Sequence, residues 1–270
     1  MKTARIQNQN RELALERARL HARFQAKHSD AGNMLDRADR RGRGFTRREQ
    51  NRFDLIMAEA ENLARQRDQI ARRIDGLARR QEARANLCKA IERNPELARR
   101  LAIHEASHAV ASYLEGTGVG RMALLADAGG LSGGSCLRRR GEGSRITYAA
   151  GLAGEALEYG EPPDWDGSGR GDLKGLVDAY EGRESWARSW AWRDLESAQE
   201  LLRPAWKAVR VLADTLAAEG EISGSRAEEI IRENLPNKLQ RDARFRADQL
   251  QQHERARAAA RLQGRERALR

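Results

Sequence analysis

The sequence predicts a mainly α-helical protein that contains one small glycine-rich β element. Long segments carry apolar residues three and four positions apart, the spacing that gives a helix one apolar face. Glycines cluster over residues 118–143 around short apolar runs, a pattern typical of short strands and turns. Charged residues make up 33% of the 270 residues and aromatic residues 5%, so we expect a modest core beside exposed helices.

The N-terminal region, residues 1–90, is predicted to be arginine-rich and helical. Residues 4–28 repeat apolar side chains every seven positions, whereas residues 29–45 hold three glycines and a basic cluster, which predicts a linker. Thr46 and Glu49 then have the spacing of a capping box that begins a long helix. The apolar positions of that helix predict a coiled coil or a helical hairpin, through which the chain could form a homo-oligomer.

A second feature of this region is the run G-R-G-F-T-R-R-E-Q-N-R-F-D-L-I-M-A-E-A-E-N-L ahead of charged heptads. Residues 35–80 resemble the N-terminal delta segment of tailed-phage capsid proteins, which is a scaffolding-type segment. The resemblance implies a phage-related origin and a role in assembly.

The segment I-H-E-A-S-H, residues 103–108, carries the pattern with the clearest chemistry. His104 and His108 are four residues apart, so on a helix both imidazoles share one face and can bind one Zn²⁺. Glu105 between them can act as general base toward a water at the metal. The alternative is a pair of solvent-facing histidines on an amphipathic helix. Pro95 and Gly116 suit the two ends of this helix.

A catalytic zinc requires a third protein ligand and one open position. No other histidine lies in residues 91–235, so the sequence points to a carboxylate as the third ligand. A helix predicted over residues 145–159 is rich in alanine and glycine, which permits close contact with the histidine helix. The candidates are Glu155, Glu158, Glu161, Asp164, Asp166 and Asp172. Asp172 could instead serve only as the N-cap of a helix over residues 173–180.

Two further predictions concern the surroundings of this site. Residues 122–125 and 135–137 are predicted strands of a small sheet, and an edge strand there could bind an extended peptide. Trp186, Trp190 and Trp206 keep helical spacing with neighbouring apolar residues, so we expect them to pack in the core.

Several motifs of the central region resemble peptidase family M41, the protease domain of FtsH-type AAA proteases. I-H-E-A-S-H-A-V is similar to the family's H-E-A-G-H-A-x, and A-G-L-A-G-E-A-L-E-Y-G-E looks like L-G-G-R-A-A-E-E-L-x-F-G-E. G-R-G-D-L-K-G-L stands where the family has G-A-x-N-D-L-E-x-A. The resemblance covers about residues 97–234. It implies that Zn²⁺ is held by His104, His108 and Asp172, with Glu105 as the catalytic base.

The chain departs from the family in three respects. Ser107 replaces a glycine, which a helix tolerates easily. Gly171 replaces the asparagine before the aspartate, so we expect a contact that supports the metal ligand to be missing. The sequence also contains no G-x-x-x-x-G-K-[ST] phosphate loop and no membrane-spanning apolar stretch. We therefore expect ATP-driven unfolding of substrates to require a separate ATPase partner.

The resulting division of the chain has three parts. Residues 1–90 are the arginine-rich coiled-coil region, residues 91–235 a zincin-like helical metallopeptidase domain of M41 type, and residues 236–270 a basic helical or frayed tail. Only two cysteines occur, Cys88 and Cys136, with no C-x-x-C, which fits a reducing cytoplasmic location. The absence of an apolar stretch of about 18 residues argues against membrane insertion.

The net charge of +10 would suit an acidic partner, but its arginines are spread over predicted helix faces without a nucleic-acid motif, so we expect no nucleic acid. The leading hypothesis is a zinc metalloendopeptidase that hydrolyses polypeptide substrates. The alternative is a phage-related structural or assembly protein that uses the coiled coil and retains a vestigial peptidase domain. The intact H-E-x-x-H pattern weighs against that alternative.

Overall fold

The computed structural model describes residues 2–127, 129–138, 144–161 and 170–268. This part of the chain is mainly helical and contains one small sheet, as the sequence predicts. The chain divides into two compact units, Met1–Ala83 and Arg84–Arg270. The elements in chain order are α1 (Lys2–Arg40), α2 (Arg47–Arg93), α3 (Pro95–Leu114), β1 (Val119–Asp127), β2 (Gly130–Arg138), α4 (Arg145–Tyr159), α5 (Arg170–Ala179), α6 (Glu184–Leu202), a 3₁₀ turn (Arg203–Ala205), α7 (Trp206–Glu219), β3 (Glu221–Ile222), α8 (Gly224–Asn234) and α9 (Asn237–Ala268).

In the first unit, α1 and α2 pair as an antiparallel helical hairpin. The Arg67 guanidinium lies 5.5 Å from the centre of the Phe24 ring, and Lys27 Nζ lies 2.5 Å from Glu59 Oε2. Going from Phe24 to Lys27 along α1, the contacted residue of α2 changes from Arg67 back to Glu59, so the two helices run in opposite directions. Buried apolar side chains of both helices lie between them: Leu13, Leu20, Ala31, Ile56, Ala60 and Leu63.

The linker predicted over residues 29–45 is largely wrong, because α1 continues and only residues 41–46 separate the two helices. Ala31 is buried, so the apolar face of α1 extends past the predicted end. Gly32 costs about 1 kcal/mol in a helix interior, which is too little to end a helix that packs on a partner. The chain turns instead at Gly42, where φ is +61°.

The start of α2 confirms the predicted capping box. Glu49 N donates to Thr46 Oγ1 at 3.3 Å, and Thr46 N donates to Glu49 Oε2 at 2.8 Å. Arg41 and Arg43 each reach the same carboxylate at 3.0 Å. The basic cluster of the turn therefore pairs with the first turn of α2.

The central element of the second unit is α3, which packs against α4, α7 and both long strands. It begins as predicted, because Pro95 occupies the first turn and the Asn94 side chain accepts a hydrogen bond from Leu97 N at 3.1 Å. The chain leaves the helix at Gly116, where φ is +83°. Alanine and serine dominate the buried faces of α3, so its neighbours can approach closely.

The sheet has the strand order β2-β1-β3 and is antiparallel throughout. The two predicted strands are confirmed, and both are longer than predicted. Met122 pairs with Cys136 on one side and with Ile222 on the other. The two-residue strand β3 was not predicted, because a strand that short leaves no periodic pattern. In the described part of the chain, β2 forms one edge of the sheet, beside α3.

The prediction that the tryptophans of α6 lie in the core is wrong. Trp186 and Trp190 are 52% and 43% exposed. The face of α6 that packs inward consists of smaller residues with the same helical spacing: Ala187, Ala191, Leu195, Ala198 and Leu202. Alanine permits closer contact with α4, whose buried face is itself built of alanine and glycine. Trp206, by contrast, packs partly against the core, as predicted.

Candidate metal centre

The two histidines of the H-E-x-x-H pattern lie side by side on the buried face of α3. His104 Nε2 and His108 Nε2 are 3.1 Å apart, and the ring planes are inclined by 74°. His104 is only 7% exposed and the His108 side chain 12% exposed. The solvent-facing alternative is therefore wrong.

Asp172 completes a triangle with these two nitrogens. Its Oδ1 lies 3.1 Å from His108 Nε2 and its Oδ2 lies 3.1 Å from His104 Nε2. Ligands bound tetrahedrally at about 2.1 Å from a zinc ion are separated by about 3.4 Å, so each of these contacts is close to the separation of two ligands on one ion. The N-cap alternative for Asp172 is wrong, because α5 begins at Arg170 and Asp172 lies within its first turn.

The second nitrogen of each ring has its own partner. His104 Nδ1 lies 2.7 Å from Glu155 Oε1, and His108 Nδ1 lies 2.7 Å from the carbonyl oxygen of Thr147. Both partners are acceptors, so the hydrogen-bond network assigns the proton of each neutral ring to Nδ1. Each Nε2 then presents a lone pair toward the other and toward Asp172. Such a group of three electron-pair donors fits a cation at its centre.

The pKa shifts of His104 and Asp172 also indicate that this group requires a positive charge at its centre. Without a bound cation, burial lowers the pKa of His104, but its contacts with Asp172 and Glu155 outweigh burial and raise that pKa to about 10. Burial raises the pKa of Asp172, whereas the two histidines hold it well below its usual range. Asp172 Oδ2 is buried and lacks a hydrogen-bond partner among the described residues. A proton on the histidines would neutralise this carboxylate, and so would a divalent cation.

Glu105 lies beside the ligand group and is 6% exposed. Burial raises the pKa of its carboxyl, and the neighbouring histidines reverse only part of that effect. The position opposite it on β2 is Gly134, where a Cβ would lie 2.5 Å from Glu105 Cγ. The glycine of the edge strand therefore provides the space that the Glu105 side chain occupies.

A second glycine provides space for the imidazoles. A Cβ at Gly151 on α4 would lie 2.5 Å from His108 Nε2 and would also overlap the ring of His104. Gly154, on the same helix, similarly accommodates Ser107. The predicted close packing of the small-residue helix against the histidine helix is confirmed.

The remaining candidates for the third ligand lie elsewhere. Glu158 Oε1 accepts from Arg99 Nη2 at 2.8 Å, and Glu161 Oε2 accepts from Arg100 Nη1 at 2.6 Å. Asp164 and Asp166 fall outside the described residues. Glu155 contacts His104 on the side away from the ligand triangle, so it orients the ring. The sequence indicates this contact only in part. Glu155 lies one helical turn after Gly151, so the two residues share the face of α4 that meets the histidines.

The group opens into a cleft of about 630 Å³. One wall is the edge strand β2, and another is formed by α5 and the start of α4. The cleft is lined by Leu97, Leu101, His104, Glu105, His108, Ser112, residues 131–136, Thr147, Tyr148, Gly171 and Asp172. A volume of this size admits several residues of an extended chain beside the ligand group.

Comparison of the chain with models of known protein families finds no match, and neither does a search of curated proteins. Within the described part of the chain, none of the helices combines the length and apolar character needed to cross a bilayer. His104, His108 and Asp172 form a group that could hold a metal ion, with all ligand atoms within 4.8 Å of one another. The chemistry of this group is therefore the basis for assigning a function.

Proposed function

We propose that the protein is a zinc-dependent metalloendopeptidase. The observation that carries the proposal is the convergence of two imidazole lone pairs and one carboxylate, beside a further buried carboxylate, in an open cleft. His104, His108 and Asp172 would hold the ion, and Glu105 would be the catalytic base. The resemblance of three sequence motifs to peptidase family M41 supports the same assignment of roles.

Zinc is the metal that best suits this donor set. Two imidazoles and one carboxylate match the three protein ligands of a tetrahedral catalytic site. The two Nε2 atoms are 3.1 Å apart, and each lies 3.1 Å from one oxygen of the Asp172 carboxylate. Magnesium and calcium prefer sets composed of oxygen ligands. When bound, Zn²⁺ would supply Lewis-acid activation of water and of the scissile carbonyl.

Glu105 would accept the proton of the attacking water and return it to the leaving amine. Its carboxyl is buried beside the ligand group and lines the same cleft, so it can exchange a proton with a water at the metal. Glu155 and the Thr147 carbonyl would keep both rings in the tautomer that presents Nε2. These contacts place the histidines before any ligand binds, which reduces the cost of forming the site.

The shape of the cleft favours an extended polypeptide as the substrate. The β2 edge runs along the cleft, and no further strand pairs with it among the described residues, so its backbone groups could pair with a peptide in any sequence context. Substrates that are folded would need to be opened first, and the sequence contains no phosphate loop for that purpose. We therefore propose that the protein acts on unfolded chains or receives them from a separate ATPase.

The test measures zinc content and hydrolysis of unfolded casein for wild type, Glu105→Gln and Glu96→Gln. Glu96 lies on α3 but is exposed in its first turn, so it controls for loss of one charge on the same helix. We expect about one zinc per chain in all three proteins and a loss of at least about 100-fold in rate only for Glu105→Gln. Equal rates for wild type and Glu105→Gln, or wild type without zinc after supplementation, would refute the proposal.

A further inference from the structure

A second cavity lies on the side of α3 away from the metal centre. It is a groove of about 610 Å³ between the C-terminal end of α3, α8 and α9. Tyr113 lines it, five residues after His108 and thus about 140° around the helix from that histidine. The linings of the groove and of the metal cleft have no residue in common among those described.

The wall formed by α9 is anchored to the rest of the unit. Ala243 is buried, and Arg246 Nη1 donates to the Leu114 carbonyl at 2.9 Å. A Cβ at Gly116 would lie 2.5 Å from Ala247 N, so the backbone of α9 rests directly on this glycine. This part of the tail is a docked helix, and the groove that it closes has a defined shape.

Three arginines line the groove, and their charges are not neutralised within it. Within the described ranges, Arg232, Arg241 and Arg244 have neither an ion pair nor a side-chain hydrogen bond. The one acidic residue of the lining is Glu228, whose Oε1 accepts from Val119 N at 3.0 Å. Three guanidinium groups against one carboxylate leave an excess of two positive charges.

The arginines share the groove with an aromatic ring. Tyr113 is partly buried, which raises the pKa of its phenol, and Glu228 acts in the same direction, whereas Arg232 and Arg244 both act to lower it. An anion bound in the groove would therefore have guanidinium donors and an aromatic ring among the side chains that line it.

We propose that this groove binds the phosphate group of a small phosphomonoester. Guanidinium groups donate in pairs to phosphate oxygens, and the dianion of a phosphomonoester matches the excess of two positive charges. A carboxylate or sulfonate carries a single charge and leaves one arginine without compensation. The volume accommodates a ligand of nucleotide size, with Tyr113, Ala243 and Ala247 as the apolar surface for the organic part. The site does not depend on peptidase activity.

Isothermal titration calorimetry of the full chain with three probes tests the proposal. Phenyl phosphate, benzenesulfonate and benzyl alcohol share an aromatic ring and carry two, one and no negative charges at pH 7.5. We expect phenyl phosphate to bind at least about tenfold more tightly than benzenesulfonate, and benzyl alcohol to give no measurable heat. Absence of phenyl phosphate binding up to about 5 mM would overturn the proposal, as would equal affinity for phenyl phosphate and benzenesulfonate.

Two double variants locate the bound phosphate. Arg232→Gln with Arg244→Gln removes two charges from the groove, and Arg255→Gln with Arg257→Gln removes two from an exposed part of α9 beyond it. We expect the groove variant to lose at least about tenfold in affinity for phenyl phosphate and the control to keep wild-type affinity. Circular dichroism melts verify that both are folded. Equal affinity of the two variants would place the ligand elsewhere, for instance at the metal centre, and refute the groove site.

Discussion

Glu155 Oε1 lies 2.7 Å from His104 Nδ1, and the other oxygen of the same carboxylate lies 2.6 Å from Arg100 Nε. Burial acts to raise the pKa of Glu155, but the contacts with His104 and Arg100 lower it below its ordinary value. The carboxylate is therefore ionised at neutral pH and can only accept from the ring. This fixes the tautomer of His104 and directs its Nε2 toward Asp172.

Replacing Glu155 with glutamine should weaken zinc binding by about 10- to 100-fold, because the amide can present its NH₂ group to the ring and favour the wrong tautomer. The measurement is competition with a chromogenic chelator. Glu158→Gln is the matched control, since Glu158 lies on the same helix and pairs with Arg99 without contact to a histidine. Equal affinity of the two variants would show that Glu155 does not orient the ligand.

Asp172→Asn should reduce zinc affinity by more than the Glu155 variant, by at least about 100-fold, because it removes the charged ligand itself. Asp178→Asn removes an exposed carboxylate from the same helix and should leave zinc content unchanged. Zinc per chain after dialysis, measured by mass spectrometry, gives the comparison. Full zinc occupancy in Asp172→Asn would mean that another group is the third ligand.

The sequence predicts those parts of the site that depend on local structure. His104 and His108 are one helical turn apart, and explicit signals at Pro95 and Gly116 define where their helix begins and ends. Asp172, in contrast, is far along the chain, and the residues alone left six candidates for its role. The resemblance to family M41 singled it out, and the structure places it against both histidines.

What could not be predicted depends on how helices pack. Small residues predict that α4 lies close to α3, and Glu155 shares their face of the helix. Its contact with His104 depends also on how far α4 is shifted along α3, which no local pattern encodes. The same limit explains the error over Trp186 and Trp190. Two apolar stripes of α6 have helical spacing, and the stripe of smaller residues is buried because α4 leaves little room between the helices.

The exposure of the α6 tryptophans predicts a strong contrast between two substitutions. Leu202 is fully buried, and Leu202→Ala should lower the free energy of unfolding by about 3 kcal/mol, since it leaves a cavity. Trp192 is 55% exposed, and Trp192→Ala should lower it by less than about 1 kcal/mol despite removing a larger side chain. Urea denaturation followed by circular dichroism measures both. A larger loss for Trp192→Ala would mean that the ring is covered in solution.

The first turn of α2 predicts a specific acid dependence. Hydrogen bonds from Arg43 and Thr46 lower the pKa of Glu49 from 4.5 to about 2. A lowered pKa means that this stabilisation is present above pH 4.5 and disappears as the pH falls toward 2. The difference in melting temperature between wild type and Glu49→Gln should therefore be constant from pH 7 to 5 and vanish near pH 2. A difference already lost at pH 4 would contradict the pairing of Glu49 with the arginines.

Gly151 provides the most direct test of the packing around the metal centre. A Cβ there would overlap both imidazoles at their Nε2 ends, so Gly151→Ala must displace the nitrogens or separate α4 from α3. We expect zinc affinity to fall by at least about 100-fold, because displacement of either nitrogen removes a ligand. Gly171→Ala is the matched control, because it lies next to Asp172 and no atom of the described residues lies within 4 Å of its added Cβ. Alanine also favours the helix by about 1 kcal/mol. The zinc affinity of Gly171→Ala should equal that of wild type. If Gly151→Ala also retained wild-type affinity, the histidines would have to bind the ion with their Nε2 atoms farther apart than the observed 3.1 Å.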